Sequence, residues 1–257
     1  MIFNHYQEIP FFTFPAFSAF PGIRHAIFTR LGGSSRKPFD SLNVGFHVGD
    51  DPDAVSRNRD DVAAVMGAED LAFVNQVHGA DVVVFSSGTD DRFSADAGSP
   101  SVADAMISNR PGKMLCIQVA DCQPVMLYDP AGHVVAGIHN GWRGSVQNII
   151  GRTVRCMQEK FGCNPAHIVA GIGPSMGPCC AEFIHYRKEI PSRYWGFRHR
   201  SNYFDFWEIS RRQLIDAGLE ADHIFLSRLC TRCRTDLFFS YRAEAVTGRF
   251  ASVIGIR

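Results

Sequence analysis

Apolar residues along this chain fall into two kinds of run. Met114–Ala120, Val125–Tyr128 and Val134–His139 are short, nearly continuous and rich in branched residues, with turn residues such as Asp129-Pro130 and Gly132 between them. Runs of that length without polar alternation predict strands buried on both faces. Ile23–Thr29, Ile168–Ile172 and Phe250–Ile256 read the same way, and Leu71–Val77 and Ala80–Phe85 read as strands flanking His78-Gly79. Leu42–Val48 reads as a short extended segment after the Gly/Ser loop Leu31–Lys37. The second kind of run has helical spacing. Asp50-Asp51-Pro52 has the form of a helix start, an Asp cap with Pro in the first turn, and Val55, Val62 and Met66 recur until Gly67. Ser145 is placed as the cap of a long helix carrying Val146, Ile149, Ile150, Val154, Met157 and Phe161 on one face. Glu208–Ala217 reads as a helix ended by Gly218. Residues 1–22, with Pro10, Pro15 and Pro21, read as an irregular lead-in, and Ser86–Ser101 as a Gly, Ser and Asp-rich loop. Helices and strands mix without a βαβ rhythm, an internal repeat or a low-complexity linker, which predicts one α+β domain over residues 1–257.

Composition narrows the function more than the fold. A chain of 257 residues buries a core without disulfide or metal staples. Lys plus Arg and Asp plus Glu each number 26, so the net charge is zero and no basic bias points to nucleic acid. Small-molecule chemistry fits that balance better. The 21 phenylalanines are scattered and read as core. No apolar stretch is long enough to span a bilayer, and no basic region precedes the proline-broken Phe11–Phe20 run, so neither membrane insertion nor a signal peptide is expected. A cytoplasmic protein is expected, with its eight cysteines as thiols. No coiled-coil seam or other oligomer signal is present, and a monomer is expected.

The candidate chemistry sits at strand ends. Cys122 lies in Ala120-Asp121-Cys122-Gln123-Pro124, His139 opens His139-Asn140-Gly141-Trp142-Arg143-Gly144, and His78 lies in Asn75-Gln76-Val77-His78-Gly79. Alone, each has a bland reading: a hydrogen-bonded histidine, or a cysteine acting as a small buried hydrophobe. Together, bends at Gly79, Pro124 and Gly141 allow the three side chains to converge at one sheet edge. Two imidazoles and a thiolate with a free fourth position suit catalytic Zn²⁺, with copper less suited. Such an ion lowers the pKa of bound water toward ~7 or polarises a substrate oxygen. The same residues also allow a metal-free cysteine hydrolase, with Cys122 as nucleophile and His139 as base. A binding protein with a structural zinc is a further alternative.

Several motifs extend the pattern. They include Thr29-Arg30 with Gly32-Gly33, Ser41-Leu42-Asn43-Val44-Gly45, His47-Val48-Gly49-Asp50 and Asn58-Arg59. After the three segments above come Gly173-Pro174-Ser175-Met176-Gly177, Asp205-Phe206-Trp207, Cys230-Thr231, Phe239-Ser240-Tyr241-Arg242 and Thr247-Gly248-Arg249. In this order, over nearly the whole chain, they resemble the laccase-domain, or polyphenol-oxidase-like, purine nucleoside phosphorylase family. The resemblance implies a single domain layered α/β/β/α with mixed sheets. It implies a zinc held by His78, Cys122 and His139. It also implies phosphorolysis of adenosine, inosine, guanosine and methylthioadenosine, and deamination of adenosine, with purine nucleosides and phosphate as partners. Copper-dependent phenol oxidation is the older family label. Four-electron oxygen reduction needs several copper centres, and the 10 histidines show no paired His-X-His pattern. Some bacterial relatives are linked to correcting cell-wall precursors that carry the wrong amino acid, which leaves a hydrolase as an alternative. Asn140 and Ala181 depart from residues common in the family, and Asn140 adjoins a ligand, where it bears on neighbouring hydrogen bonds.

Other residues receive candidate roles. Gln76 and Asn43 are candidates for substrate binding; for Asn43, to a purine edge or ribose, with a turn role as the bland reading. Arg30, Arg59 and Arg143 are candidates for phosphate, because guanidinium offers paired donors, and structural ion pairs are the alternative. Asp121 is a candidate to bind substrate, orient a ligand or manage a proton; next to Cys122 in what reads as an extended segment, its side chain is expected on the opposite face, which favours a supporting or structural role. The Gly173–Gly177 segment is either an anion-binding turn or a plain one. Cys230-Thr231-Arg232-Cys233 has redox or metal spacing, but lacks a second pair at standard spacing; Cys179-Cys180 is the only other close pair.

Overall fold

In a computed structural model of the chain, residues 1–68, 71–86 and 101–257 are described. Among the described residues the strands, in chain order, are β1 (Ile2–Tyr6), β2 (Ile9–Thr13), β3 (Ile23–Phe28), β4 (Leu71–Ala72), β5 (Val82–Phe85), β6 (Ala105–Ser108), β7 (Met114–Val119), β8 (Gln123–Asp129), β9 (Val134–Asn140), β10 (Val169–Ile172), β11 (Arg198–Arg200), β12 (Tyr203–Phe204), β13 (Ile224–Leu226) and β14 (Phe250–Ile256). The helices are α1 (Pro15–Ser18), α2 (Pro52–Met66), α3 (Trp142–Val146), α4 (Ile149–Phe161), α5 (Tyr186–Glu189), α6 (Phe206–Asp216) and α7 (Tyr241–Glu244).

Two six-stranded mixed sheets carry the fold. The first is ordered β1-β2-β3-β14-β7-β4 and the second β13-β10-β8-β9-β6-β5. Their strands read as continuous apolar runs because both faces are covered. Leu115, Ile117 and Val119 of β7 and Ile254 of β14 meet Met126, Tyr128 and Val135 of the second sheet. From the same strands Met114, Cys116 and Val253 turn the other way, onto Val62, Ala63 and Met66 of α2. Val125, Leu127, Ala136 and Ile138 of the second sheet turn outward onto Ile149, Ile150, Val154 and Met157 of α4 and Leu214 of α6. The order is therefore helix, sheet, sheet, helices: an α+β fold of the layered type expected. The sheets approach so closely at Gly137 that a Cβ there would lie 3.2 Å from Ile117 Cγ1.

Helix α2 begins as its sequence predicts. The Asp51 carboxylate accepts from the Asp53 N–H, and Gly67 closes the last turn at φ 59°. Elsewhere long-range contacts displace local reading. The expected irregular lead-in contains β1, β2 and α1, because β2 pairs with β3 and gains the partners its own pattern does not announce. Leu42–Val48 holds a one-turn 3-10 helix, Phe46–Val48, and no strand. The strand expected over Leu71–Val77 stops at Ala72. Farther on, the Gln76 amide takes the strand's place, donating to Gln118 O (2.8 Å) and accepting from Gln118 N (2.9 Å). Ser145 lies inside α3; the cap of α4 is Asn148, at φ 59°, whose Oδ1 accepts from Gly151 N (3.1 Å). Helix α6 starts at Phe206, two residues before Glu208, because the Asp205 carboxylate accepts from Trp207 N and Glu208 N. Of the expected loop Ser86–Ser101, residues 87–100 lie outside the described residues.

Candidate metal centre and adjoining pocket

Strand register brings the predicted ligands together. β8 and β9 are antiparallel neighbours with Gln123 opposite Asn140 and Pro124 opposite His139. The start of β8 therefore lies beside the end of β9, and Cys122, just before β8, comes to His139. β6 is antiparallel to β9 on its other side, with Ala105 opposite Ile138, so Asp104 falls beside His139. The Asp104 backbone carbonyl accepts from His139 N (2.7 Å), and its carboxylate takes the ring Nδ1 (2.7 Å). That carboxylate also accepts N–H groups from Val77 (3.2 Å), His78 (2.9 Å) and Gly79 (2.6 Å). One fully buried side chain thus orients one histidine and holds the turn that presents the other. The turn needs that hold, since His78 sits at φ 61°, a left-handed conformation unusual for a residue with a Cβ.

The donor atoms of His78, Cys122 and His139 lie within 4.8 Å of one another. With Nδ1 committed to Asp104, His139 offers Nε2 to the centre. Gly141 forms the floor: a Cβ there would stand 2.9 Å from His78 Cδ2, 3.2 Å from Cys122 Sγ and 3.8 Å from His139 Cε1. Two imidazoles and a thiol, closed on one side by glycine and by a carboxylate that fixes a tautomer, fit a tetrahedral divalent cation with one position left over. Burial opposes charge on both Cys122 and His139, but their mutual pairing wins. The thiol is pulled down to about 6, with His139 and then His78 beside it. The imidazole is raised by Cys122 and by Asp104. Burial also opposes ionisation of Asp104, and the bonds from His139, Gly79 and Val77 outweigh it, leaving its carboxyl below the usual range.

Cys122 also lines a cavity of about 400 Å³, a size in the range of small-molecule sites. Its apolar wall includes Trp142, Met176, Phe183 and Phe206, and its polar side includes Glu182, His185 and Arg242. Trp142 and Phe183 meet edge to face with centroids 5.9 Å apart. Asp121 lines the cavity but is not extended as expected: its φ is 82°. Its Oδ1 accepts from Thr231 Oγ1 (2.6 Å) and Ser240 Oγ (2.7 Å), and its Oδ2 from Arg242 N (2.6 Å). Those bonds fix the bend that presents Cys122.

The remaining sequence candidates lie in different settings. Asn43 is fully buried: its amide donates to Gly45 O and Asp50 Oδ2, and its carbonyl accepts from Gly45 N and Arg249 N. Arg30 bonds Asp40 O, Thr235 O and Glu244 Oε1 and lies over Phe239. Arg59 bonds Val44 O between the rings of Phe46 and Phe73. Gln76 is spent on Gln118. Arg143, exposed beside Trp142, is not among the residues that line the cavity. Asn140 donates to Gln123 Oε1 and Ser210 Oγ, both at 2.9 Å, and so joins β8, β9 and α6. Sequence reasoning missed Asp104, although a lone acid before the apolar run Ala105–Ile107 is a signal. It also gave no role to Arg242, the arginine that does line the cavity.

An apolar-walled pocket adjoins a two-histidine, one-cysteine cluster that could hold a metal ion, carried on paired mixed sheets. The family model described as multi-copper polyphenol oxidoreductase laccase matches residues 24–257, and the chain belongs to that family. It is 35% identical over 243 residues to purine nucleoside phosphorylase YfiH of Escherichia coli, covering 91% of this chain and 93% of the relative. It is 34% identical over 260 residues to purine nucleoside phosphorylase YlmD of Geobacillus stearothermophilus, covering 93% and 92%. Its fold is similar to crystal structures of YlmD from Geobacillus stearothermophilus (TM-score 0.86, 32% identity, 100% and 99% covered) and of Bacillus licheniformis hypothetical protein YfiH (TM-score 0.86, 30% identity, 99% of each).

Proposed function

We propose that this protein is a zinc-dependent purine nucleoside phosphorylase, acting on adenosine, inosine, guanosine and methylthioadenosine. The observation that carries the reading is the opening of the Cys122 side of the His78/Cys122/His139 centre into an aromatic pocket that also presents Arg242. The names of relatives similar over nine-tenths of the chain support it. The planar base packs against Trp142, Phe183 and Phe206, which suit any purine face. Arg242 uses Nη1 on the carbonyls of Cys180 (3.5 Å) and Glu182 (3.3 Å), leaving other N–H groups of its fork to take phosphate. A phosphate oxygen bonds to the anomeric carbon as the bond from that carbon to the base nitrogen breaks. The base departs with the electron pair and takes up a proton. Bound zinc supplies Lewis acidity beside the reacting groups. Asp104 holds the His139 ring and the His78 turn in place, and Asp121 holds Cys122.

Deamination of adenosine at the same centre is a second activity we infer from its donor set, since two histidines, one cysteine and a free position are a hydrolytic arrangement. Copper-dependent phenol oxidation fits less well, because the clusters among the described residues are one His₂Cys set and one all-cysteine set, with no second histidine cluster. Product analysis after incubation with adenosine tests both activities. Wild type is expected to release adenine only with phosphate and inosine without it. His139→Ala is expected to lose both, and Arg242→Ala to lose phosphorolysis at low phosphate first. No product from fully zinc-loaded wild type overturns the reading. Turnover retained after complete metal removal, with a trapped acyl-Cys122, supports the cysteine hydrolase instead.

A further inference from the structure

Away from the pocket centre, the fold assembles a second set of potential ligands from two distant segments. Cys179 and Cys180 lie in the turn after β10, and Cys230 and Cys233 in the turn after β13. β10 and β13 are parallel neighbours, so the chain leaves both strands at the same end, and Ser175 bridges to Cys230 just beyond them. All four Sγ atoms lie within 4.8 Å of one another. Cys233 Sγ is 3.5 Å from Cys180 Sγ and 3.6 Å from Cys179 Sγ. Zinc–thiolate bonds of about 2.3 Å place the corners of a tetrahedron about 3.8 Å apart, whereas a disulfide needs about 2.05 Å. All four cysteines are free. Gly177 N–H donates to Cys230 Sγ (3.3 Å), and Arg232 Nη1 lies 3.6 Å from Cys180 Sγ. A donor and a cation aimed at sulfur are what a doubly negative four-thiolate zinc centre requires around it.

We propose that Cys179, Cys180, Cys230 and Cys233 form a second metal centre, a closed four-thiolate zinc site that fastens the wall of the pocket. Four protein ligands leave no exchangeable position, so the site is structural. Its attachments show what it steadies. Thr231, between the two ligands of one pair, donates to Asp121, the residue before Cys122. Cys180 O accepts from Arg242, and Ala181 and Glu182 line the pocket. Cys180 and Cys230 pack on Trp207, whose indole N–H donates to Ser175 Oγ (2.7 Å). The centre thus joins the loop after β10 to the loop after β13.

Metal content, with no reference to nucleoside turnover, tests this site apart from the phosphorylase reading. Zinc-loaded, desalted wild type is expected to hold about two ions per chain, and Cys179→Ser/Cys233→Ser and His78→Ala about one each. Cobalt-loaded His78→Ala is expected to keep the strong visible bands of a tetrahedral thiolate site, and the double serine variant to lose them. In wild type, iodoacetamide is expected to spare these four thiols until a chelator is added, a readout that does not depend on the variants folding. Unchanged metal content in Cys179→Ser/Cys233→Ser, equal alkylation with and without chelator, or disulfides among the four in freshly isolated protein overturns the proposal.

Discussion

At the residue scale, Asp104 and Gly141 matter as much as the ligands they serve. Asp104→Asn keeps the shape but turns an amide N–H₂ toward groups that are themselves donors. Metal affinity is expected to fall about 10–100-fold, measured by competition with a chromophoric chelator. Gly141→Ala has no backbone penalty from positive φ, yet its methyl would enter the centre. It is expected to abolish metal retention with far-UV circular dichroism unchanged; a variant that still holds its metal would contradict the geometry. His25 makes a pH prediction. Burial lowers its pKa to about 4, and its Nε2 accepts Phe14 N–H (2.8 Å), which requires an unprotonated ring. The unfolded ring titrates near 6.5, so this contribution is complete above that pH and lost as pH falls toward about 4. At ~1.4 kcal/mol per unit the loss sums to roughly 3 kcal/mol. The urea midpoint should fall across that window in wild type and less in His25→Gln.

At the element scale, the break between α3 and α4 is set by one residue. Asn148 supplies both a left-handed backbone and a side-chain acceptor for Gly151 N. Asn148→Ala loses both and is expected to cost about 1–2 kcal/mol in equilibrium unfolding. Asn148→Gly keeps the backbone freedom and should cost only a few tenths. Equal losses would mean that the left-handed backbone is not what distinguishes the two. The periodicity after Ser145 was legible, but the break was not, because a hydrophobic face continues across it. Strands β7, β8, β9 and β14 were legible for the opposite reason: they are covered on both faces and carry unbroken apolar runs. β4 was overread, since after Ala72 the backbone no longer pairs with β7: Asn75 bridges to Val102, and the Gln76 side chain bonds Gln118.

At the scale of the whole molecule, four layers share continuous cores on both faces of each sheet, and neither candidate metal centre spans them. Removing metal from His78, Cys122 and His139 is therefore expected to leave the far-UV spectrum intact and to lower the melting temperature only modestly; cooperative unfolding on chelation would show a structural metal instead. Ile117→Ala, between the sheets opposite Gly137, should cost about 2–5 kcal/mol in urea unfolding without changing metal content. The described residues include no helix long and apolar enough to cross a membrane.

The sequence by itself determined the main buried strands, helix α2 with its cap, and the identity of the three candidate ligands, because each is written locally in apolar runs, cap residues and strand-end motifs. Tertiary structure alone decided the rest. It placed Asp104 beside His139 through the register of β6 on β9. It turned Asp121 left-handed, and committed Asn43, Arg30 and Gln76 to protein partners. It also carried Cys179 and Cys180 to Cys230 and Cys233 through the parallel pairing of β10 and β13. Those relations join residues far apart in the chain, and no local pattern records which strand end will lie beside which.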